Sequence, residues 1–333
     1  MPRKPRKNQI DLERHSTYHV ITRCTRQLFL LGSCDASRQR RKGVLMGQLQ
    51  RLSSFTAIGV SGFSVMDNHV HLLLKVDVEM AKGWSVREVA ERWLSLHPPR
   101  NGHYKVLDVQ EDHIAAFCAD IARVEACREK LMCLSQFMKE LKQETTQQLN
   151  KLDNTVGSLW AGRFKCNAVK DEAELLATLA YVDLNPFAAG ACELPEDGQH
   201  TSLEARLHGH RSADEDTAAK VEASKASGRT LNEALSERKG WWLPIGQTVA
   251  RTQSDALELE DTLAGTAGRA RLGFRTYLNL LDATARLLRD GKKQLASDIK
   301  PINQRLEVSP IQVAAQVRYW LDKGFDWAGL KPY

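Results

Sequence analysis

Two histidines stand two residues apart in Met66-Asp67-Asn68-His69-Val70-His71-Leu72-Leu73-Leu74. If this apolar run is a strand, side chains alternate between faces, so His69 and His71 share one side while Val70 and Leu72 enter the opposite layer. Two imidazoles on one face can share a divalent cation; the same pair can also be polar residues at a strand edge. A second constellation is Leu179-Ala180-Tyr181-Val182-Asp183-Leu184-Asn185-Pro186. In the last turns of a helix, Tyr181 and Asn185 would be i and i+4 and lie on one face. An amide oxygen can serve as a neutral metal ligand, and a phenol can attack an electrophile that a metal has polarised. The alternative is a core tyrosine and a helix-capping asparagine before Pro186. The third segment, Leu159-Trp160-Ala161-Gly162-Arg163-Phe164-Lys165, interleaves rings and cations. That suits single-stranded nucleic acid, whose bases stack on rings and whose phosphates meet Arg and Lys, but it also reads as an ordinary amphipathic strand entrance.

The elements that must position these residues follow from periodicity. Tyr18-His19-Val20-Ile21-Thr22-Arg23 is rich in β-branched and aromatic residues and predicts a first strand. Val44, Leu45, Leu49, Leu52 and Phe55 recur at helical spacing between about Ser37 and Ile58. Val60–Met66 and Val70–Val76 flank the turn-forming pair Asp67-Asn68 and predict an antiparallel strand pair. From Glu79 to Ala126 helical patterns near Val86–Leu96 and Ile114 are broken by Pro98-Pro99 and Asn101-Gly102. A helix over Leu131–Leu149, a short strand over Phe164–Val169 and a helix from Glu172 to Leu184 follow. The order β, α, β, β, insertion, α, β, α predicts an α+β domain, an antiparallel sheet with helices packed on a face. Residues 193–240 are polar and read as a linker or as loosely ordered helices; 241–333 read as a small helical module with helices at Leu272–Leu288 and Pro310–Leu321.

The net charge of +6 over 333 residues is moderate, so the position of the cations matters more than their total. Residues 1–9 form a basic, proline-interrupted arm carrying Arg3, Lys4, Arg6 and Lys7, and Arg38, Arg40, Arg41 and Lys42 form a second cluster. Either could meet a polyanion; either could simply be solvated. Seven cysteines contain no CxxC pair, which argues against a zinc site or a disulfide framework. With a charged N-terminus and no apolar run of about 18 residues, a cytoplasmic location is expected, with no membrane partner.

Taken together in this order, Tyr18-His19-Val20, the His69–His71 segment, Leu159–Lys165 and Tyr181-Val182-Asp183-Leu184-Asn185-Pro186 resemble the REP-associated tyrosine transposases, of the single-tyrosine HUH superfamily. The resemblance covers residues 10–192, with an insertion at about 80–128. It implies a ferredoxin-like or RRM-like sheet, metal ligands at His69, His71 and Asn185, and Tyr181 as nucleophile. It further implies Mg²⁺ or Mn²⁺, no nucleotide cofactor, and cleavage of single-stranded or hairpin DNA, such as REP-like palindromes, through a 5′-phosphotyrosine. DNA contacts are then expected at Arg3, Lys4, Arg6, Lys7, Arg26, Trp160, Arg163 and Lys165. Two rivals remain. A metal-dependent amidohydrolase also carries HxH on its first barrel strand, although His97, His103, His113, His200, His208 and His210 fall in breaks or polar stretches. A DNA-binding protein that keeps the fold without cutting is the other.

Overall fold

The computed structural model describes residues 9–32, 34–212, 274–288 and 291–305. Four strands form one antiparallel sheet: β1 (Thr17–Arg23), β2 (Ile58–Val65), β3 (His69–Val76) and β4 (Lys165–Ala168), in the order β2-β3-β1-β4. The first and third strands are central, the ferredoxin-like arrangement the element order predicts. This is not the parallel barrel that an amidohydrolase would need. The β2–β3 hairpin turns at Asp67-Asn68 and is closed by Met66 N–H donating to the His69 carbonyl at 2.9 Å. The Asp67 carboxylate accepts from Arg38 at 2.9 and 3.0 Å and pairs with Lys42 at 2.9 Å, which fastens α1 (Asp35–Phe55) to the turn.

Side chains from the two faces of the sheet enter two separate cores. Val20, Leu72 and Leu74 pack against Leu45, Leu49 and Leu52 of α1 and Phe137, Met138 and Leu141 of α6 (Leu134–Asp153). The insertion adds α2 (Val78–Gly83), α3 (Val86–Leu96), α4 (Glu111–Cys118) and α5 (Ile121–Leu131) to this layer. Helix α3 begins where its sequence says it should: Ser85 Oγ accepts from Glu88 N–H at 3.2 Å, and the Glu88 carboxylate accepts from Ser85 N–H at 2.7 Å. On the opposite face, Leu73 meets Leu175, Leu176 and Leu179 of α7 (Glu172–Asp183), with α8 (Asn185–Ala188) following it directly. Helices cover both faces of the sheet: in β3, Leu73, on the histidine face, is as buried as Leu72 and Leu74. Each such leucine contributes about 1.5–3 kcal/mol by leaving water.

Of the segment read as polar linker or loosely ordered helices, residues 193–212 are described. A turn at Pro195–Asp197 leads to α9 (Ser202–Ser212), and this stretch caps the edge of β2. Val65 N–H donates to the His200 carbonyl at 3.0 Å and Phe63 N–H to Ser202 Oγ at 3.1 Å, satisfying an exposed strand edge. Leu203 and Leu207 of α9 are buried in the same core as Leu176 and Leu179, while the contacts at 200–202 are made by backbone and hydroxyl groups, which leave no apolar pattern in the sequence. The helix expected over Leu272–Leu288 is α10 (Phe274–Arg286), followed by α11 (Ile302–Arg305). Tyr277, Leu278 and Leu281 of α10 lie in the same core as Leu176 and Leu179. The basic arm, residues 213–273 and the helix expected at Pro310–Leu321 fall outside the described residues. Among the described residues, no helix is long and apolar enough to cross a membrane.

Candidate active site

The alternation of β3 places His69 and His71 on the face that carries α7, their rings 4.9 Å apart between centroids. Helix α7 packs closely on this face at Gly62 of β2, where a Cβ would stand 2.5 Å from Leu179 Cδ1 and the leucine side chain would have to shift. At the end of α7, Tyr181 is 40% exposed with its ring centroid 5.4 Å from that of His71. It sits above the histidines, between core and solvent, and is not the buried core tyrosine of the alternative reading.

Asn185 differs in setting from the expectation. Helix α7 ends at Asp183, and Asn185 opens α8, which carries Pro186 in its first turn. Leu184 between them has near-helical angles (φ −82, ψ −4), so the chain hardly changes direction and Asn185 still hydrogen-bonds His69. On its other side, His69 Nδ1 lies 2.6 Å from Asn68 Oδ1.

A third histidine joins the pair. His19 of β1 places Nε2 3.0 Å from His71 Nδ1. The sequence reading quoted His19 only as part of a motif and gave it no role. The available signal was its parity: it lies on the same face as His69 and His71, but only the strand order shows that β1 is their neighbour.

Burial pushes His19 down to about 4. His69 is pushed down to about 4 by burial first and then by Arg23, with Lys42 and Lys292 adding to the effect and the Asn185 hydrogen bond opposing it. His71 lies well below the usual imidazole range, through burial and then its two histidine neighbours. The imidazoles are therefore neutral, the form that binds a metal, and the cations around His69 make the site attractive to a phosphate.

The donor set fits a divalent cation in one way. Among the described residues, no group of three or more His, Cys, Asp or Glu side chains is arranged to hold a metal ion. A metal here needs the Asn185 amide as its third donor. Nδ1 of each histidine meets a neighbouring side chain, Asn68 for His69 and His19 for His71, the arrangement by which proteins orient metal-ligating histidines; His69 in addition hydrogen-bonds Asn185, the residue that would share the metal with it.

The expected DNA contacts separate. Trp160 is 6% exposed and its indole N–H donates to the Lys142 carbonyl at 3.0 Å, so its ring belongs to the core and is not open to a base. Arg26, Arg163 and Lys165 are exposed. In the second basic cluster, Arg38 and Lys42 pair with Asp67, and Arg41 donates to the Leu30 carbonyl at 2.6 Å and pairs with Asp153, while Arg40 is exposed. Arg3, Lys4, Arg6 and Lys7 lie outside the described residues.

Asp183, two residues beyond Tyr181, is fully buried and accepts from four donors: Ser202 Oγ, Leu203 N–H at 2.9 Å, Arg206 at 3.4 Å and Tyr277 Oη at 2.5 Å. Burial raises its pKa against the pull of Arg206 and the hydrogen bonds. The carboxylate thus ties the tyrosine-bearing helix to α9 and α10.

No family model and no curated protein matches the chain. Among solved structures, a REP-associated tyrosine transposase bound to a REP hairpin is a distant neighbour, at 12% identity and a TM-score of 0.35, over 57% of this chain and 78% of that one.

Proposed function

We propose that this chain is a single-tyrosine DNA strand transferase that cuts single-stranded DNA beside a hairpin. The observation that carries this reading is Tyr181, half-exposed, with its ring beside those of His71 and His19 on a helix that several buried contacts hold in place. In the reaction, the Tyr181 oxygen forms an ester to phosphorus and the P–O3′ bond breaks. The 5′ phosphate remains on Tyr181, and the departing 3′ oxygen ends with a proton. One ester replaces another, so rejoining needs no nucleotide cofactor. His69, His71 and Asn185 would hold the cation, Mn²⁺ or Mg²⁺, whose charge polarises the phosphodiester when bound. Two imidazole donors favour Mn²⁺ over the harder Mg²⁺. Arg23 and Lys292 add positive charge where a phosphate would rest.

The test uses the full chain with end-labelled hairpin DNAs carrying single-stranded flanks, with and without Mn²⁺, read as a covalent band on a denaturing gel. A metal-dependent band is expected from the wild type and none from Tyr181→Phe, which loses one oxygen and almost no volume. A band of wild-type intensity from Tyr181→Phe would overturn the assignment. Wild-type protein that retains DNA but never forms the band would instead be a binding protein.

A further inference from the structure

Between β1 and α1 the chain passes through two consecutive non-glycine residues in the left-handed region, Arg26 (φ 52) and Gln27 (φ 58). Such conformations are costly and persist only where the surroundings impose them. Here the imposing contacts are explicit. Cys24 N–H donates to the Asn68 carbonyl at 2.8 Å, Leu31 N–H to the Asp67 carbonyl at 2.8 Å, and Thr25 N–H to the Leu159 carbonyl at 2.9 Å. Cys24 and Leu31, at the two ends of the loop, are fully buried. Between these anchors the loop turns two large apolar side chains to solvent: Leu28 is 50% exposed and Phe29 62%. An exposed apolar pair on a pinned loop gains nothing for the fold.

The loop is also joined to the candidate site by one side chain. Asn68 Nδ2 donates to the Gln27 carbonyl at 3.3 Å, while Asn68 Oδ1 lies 2.6 Å from His69 Nδ1. The charge of the surroundings selects the partner. Segments 23–31 and 159–165, tied to each other through Thr25–Leu159 and Ala161–Arg23, carry Arg23, Arg26, Arg163 and Lys165 and no acidic residue.

We infer that Phe29, with Leu28 beside it, is a stacking platform for an unpaired nucleobase in the single-stranded segment next to the scissile phosphate, with Arg26 and Arg163 placed for its backbone. The inference rests on the strand-transferase reading and adds to it the site that selects unpaired DNA. Trp160, the ring the sequence offered for this task, is buried; Phe29 is the exposed ring on the adjoining loop.

The experiment compares two DNAs with the same hairpin stem, one blunt and one with a single-stranded flank containing 2-aminopurine. Stacking on a protein ring stabilises binding enough that alanine substitution costs on the order of tenfold in affinity. Phe29→Ala is expected to weaken binding of the flanked DNA roughly tenfold and to leave the blunt hairpin unchanged. Phe29→Trp should retain affinity, and the 2-aminopurine quenching seen with wild type should vanish in Phe29→Ala. If wild type forms the Tyr181 band but Phe29→Ala binds both DNAs as tightly as wild type, the platform is wrong and the strand-transferase reading stands. If in that case Phe29→Ala abolishes self-association in sedimentation, the pair is a contact between copies of this chain. If wild type binds neither DNA, both inferences fall.

Discussion

His19 Nε2 and His71 Nδ1 face each other at 3.0 Å across the two central strands, one nitrogen supplying the proton and the other accepting it. When His71 Nδ1 donates and His19 Nε2 accepts, Nε2 of His71 keeps its lone pair and is the nitrogen that could meet a metal; in the opposite tautomer Nε2 of His71 carries the proton. On the proposed function, His19 would select the first tautomer and act through His71 as a positioning residue.

Removing such an orienting partner commonly costs about 10- to 100-fold in metal affinity. His19→Ala should shift the Mn²⁺ concentration needed for half-maximal covalent band formation upward by that order, with little change in the plateau. His19→Gln, which can still hydrogen-bond His71, should recover part of the shift. An Mn²⁺ dependence identical to wild type in both variants would reduce His19 to a packing residue.

The Asp183 cluster makes a different prediction, one that separates helix placement from metal binding. Tyr277→Phe leaves a buried carboxylate one donor short, a loss of about 1–3 kcal/mol. The variant should melt at a lower temperature and form the covalent band more slowly at saturating DNA and Mn²⁺, while its Mn²⁺ dependence stays unchanged. An altered Mn²⁺ dependence with an unaltered melting point would contradict the anchoring role.

The hairpin at Asp67-Asn68 and the helix from Glu172 were legible in the sequence because their causes are local: a turn pair between β-branched runs, and leucines at helical spacing. The same-face placement of His69 and His71 follows from strand parity alone. His19 was not legible as a partner, because strand order is a long-range property. The Asp183 cluster joins residues 94 positions apart, yet it left a trace: an aspartate between Val182 and Leu184, in the apolar half of its helix, is a charge that must find donors. Trp160 misled because composition does not say which way a ring points. The edge-capping segment at 200–202 was hidden because it binds through a backbone carbonyl and one serine hydroxyl, neither of which marks a contact in sequence.

His200 supplies a pH prediction. Its pKa is pushed down to about 4, by burial first and then by Lys42 and Arg38, with Asp67 opposing; Glu204, on α9, accepts from its backbone N–H. Between about 4 and the ordinary value of 6.5, the unfolded chain binds a proton here that the folded chain does not, so stability falls as pH drops through that window. Asparagine tolerates the left-handed backbone at this position (φ 58) and does not titrate. The loss of urea resistance from pH 7 to pH 5 should therefore be smaller in His200→Asn than in wild type. Equal losses would show that His200 is not one of the groups responsible.

The most consequential prediction concerns where the catalytic unit ends. The motifs lie within residues 10–192, which suggests that a chain shortened to that segment would keep the chemistry. The structure places Tyr277, Leu278 and Leu281 of α10 against Leu176 and Leu179 on the tyrosine-bearing helix, with Tyr277 reaching Asp183. Each large apolar side chain returned to water costs about 1.5–3 kcal/mol, against a total stability of about 5–15 kcal/mol for a typical domain. Ending the chain after residue 212 would uncover α7, leave Asp183 without one donor, and retain Tyr181, His69, His71 and Asn185. This shortened protein should bind an apolar dye, unfold without a sharp transition and form no covalent band, although every residue of the proposed chemistry is present. A control with the full chain and Leu278→Ala should show an intermediate loss of stability. A shortened protein that melts as sharply as wild type and forms the band at the wild-type rate would make α10 dispensable and return the catalytic unit to the limits its motifs suggest.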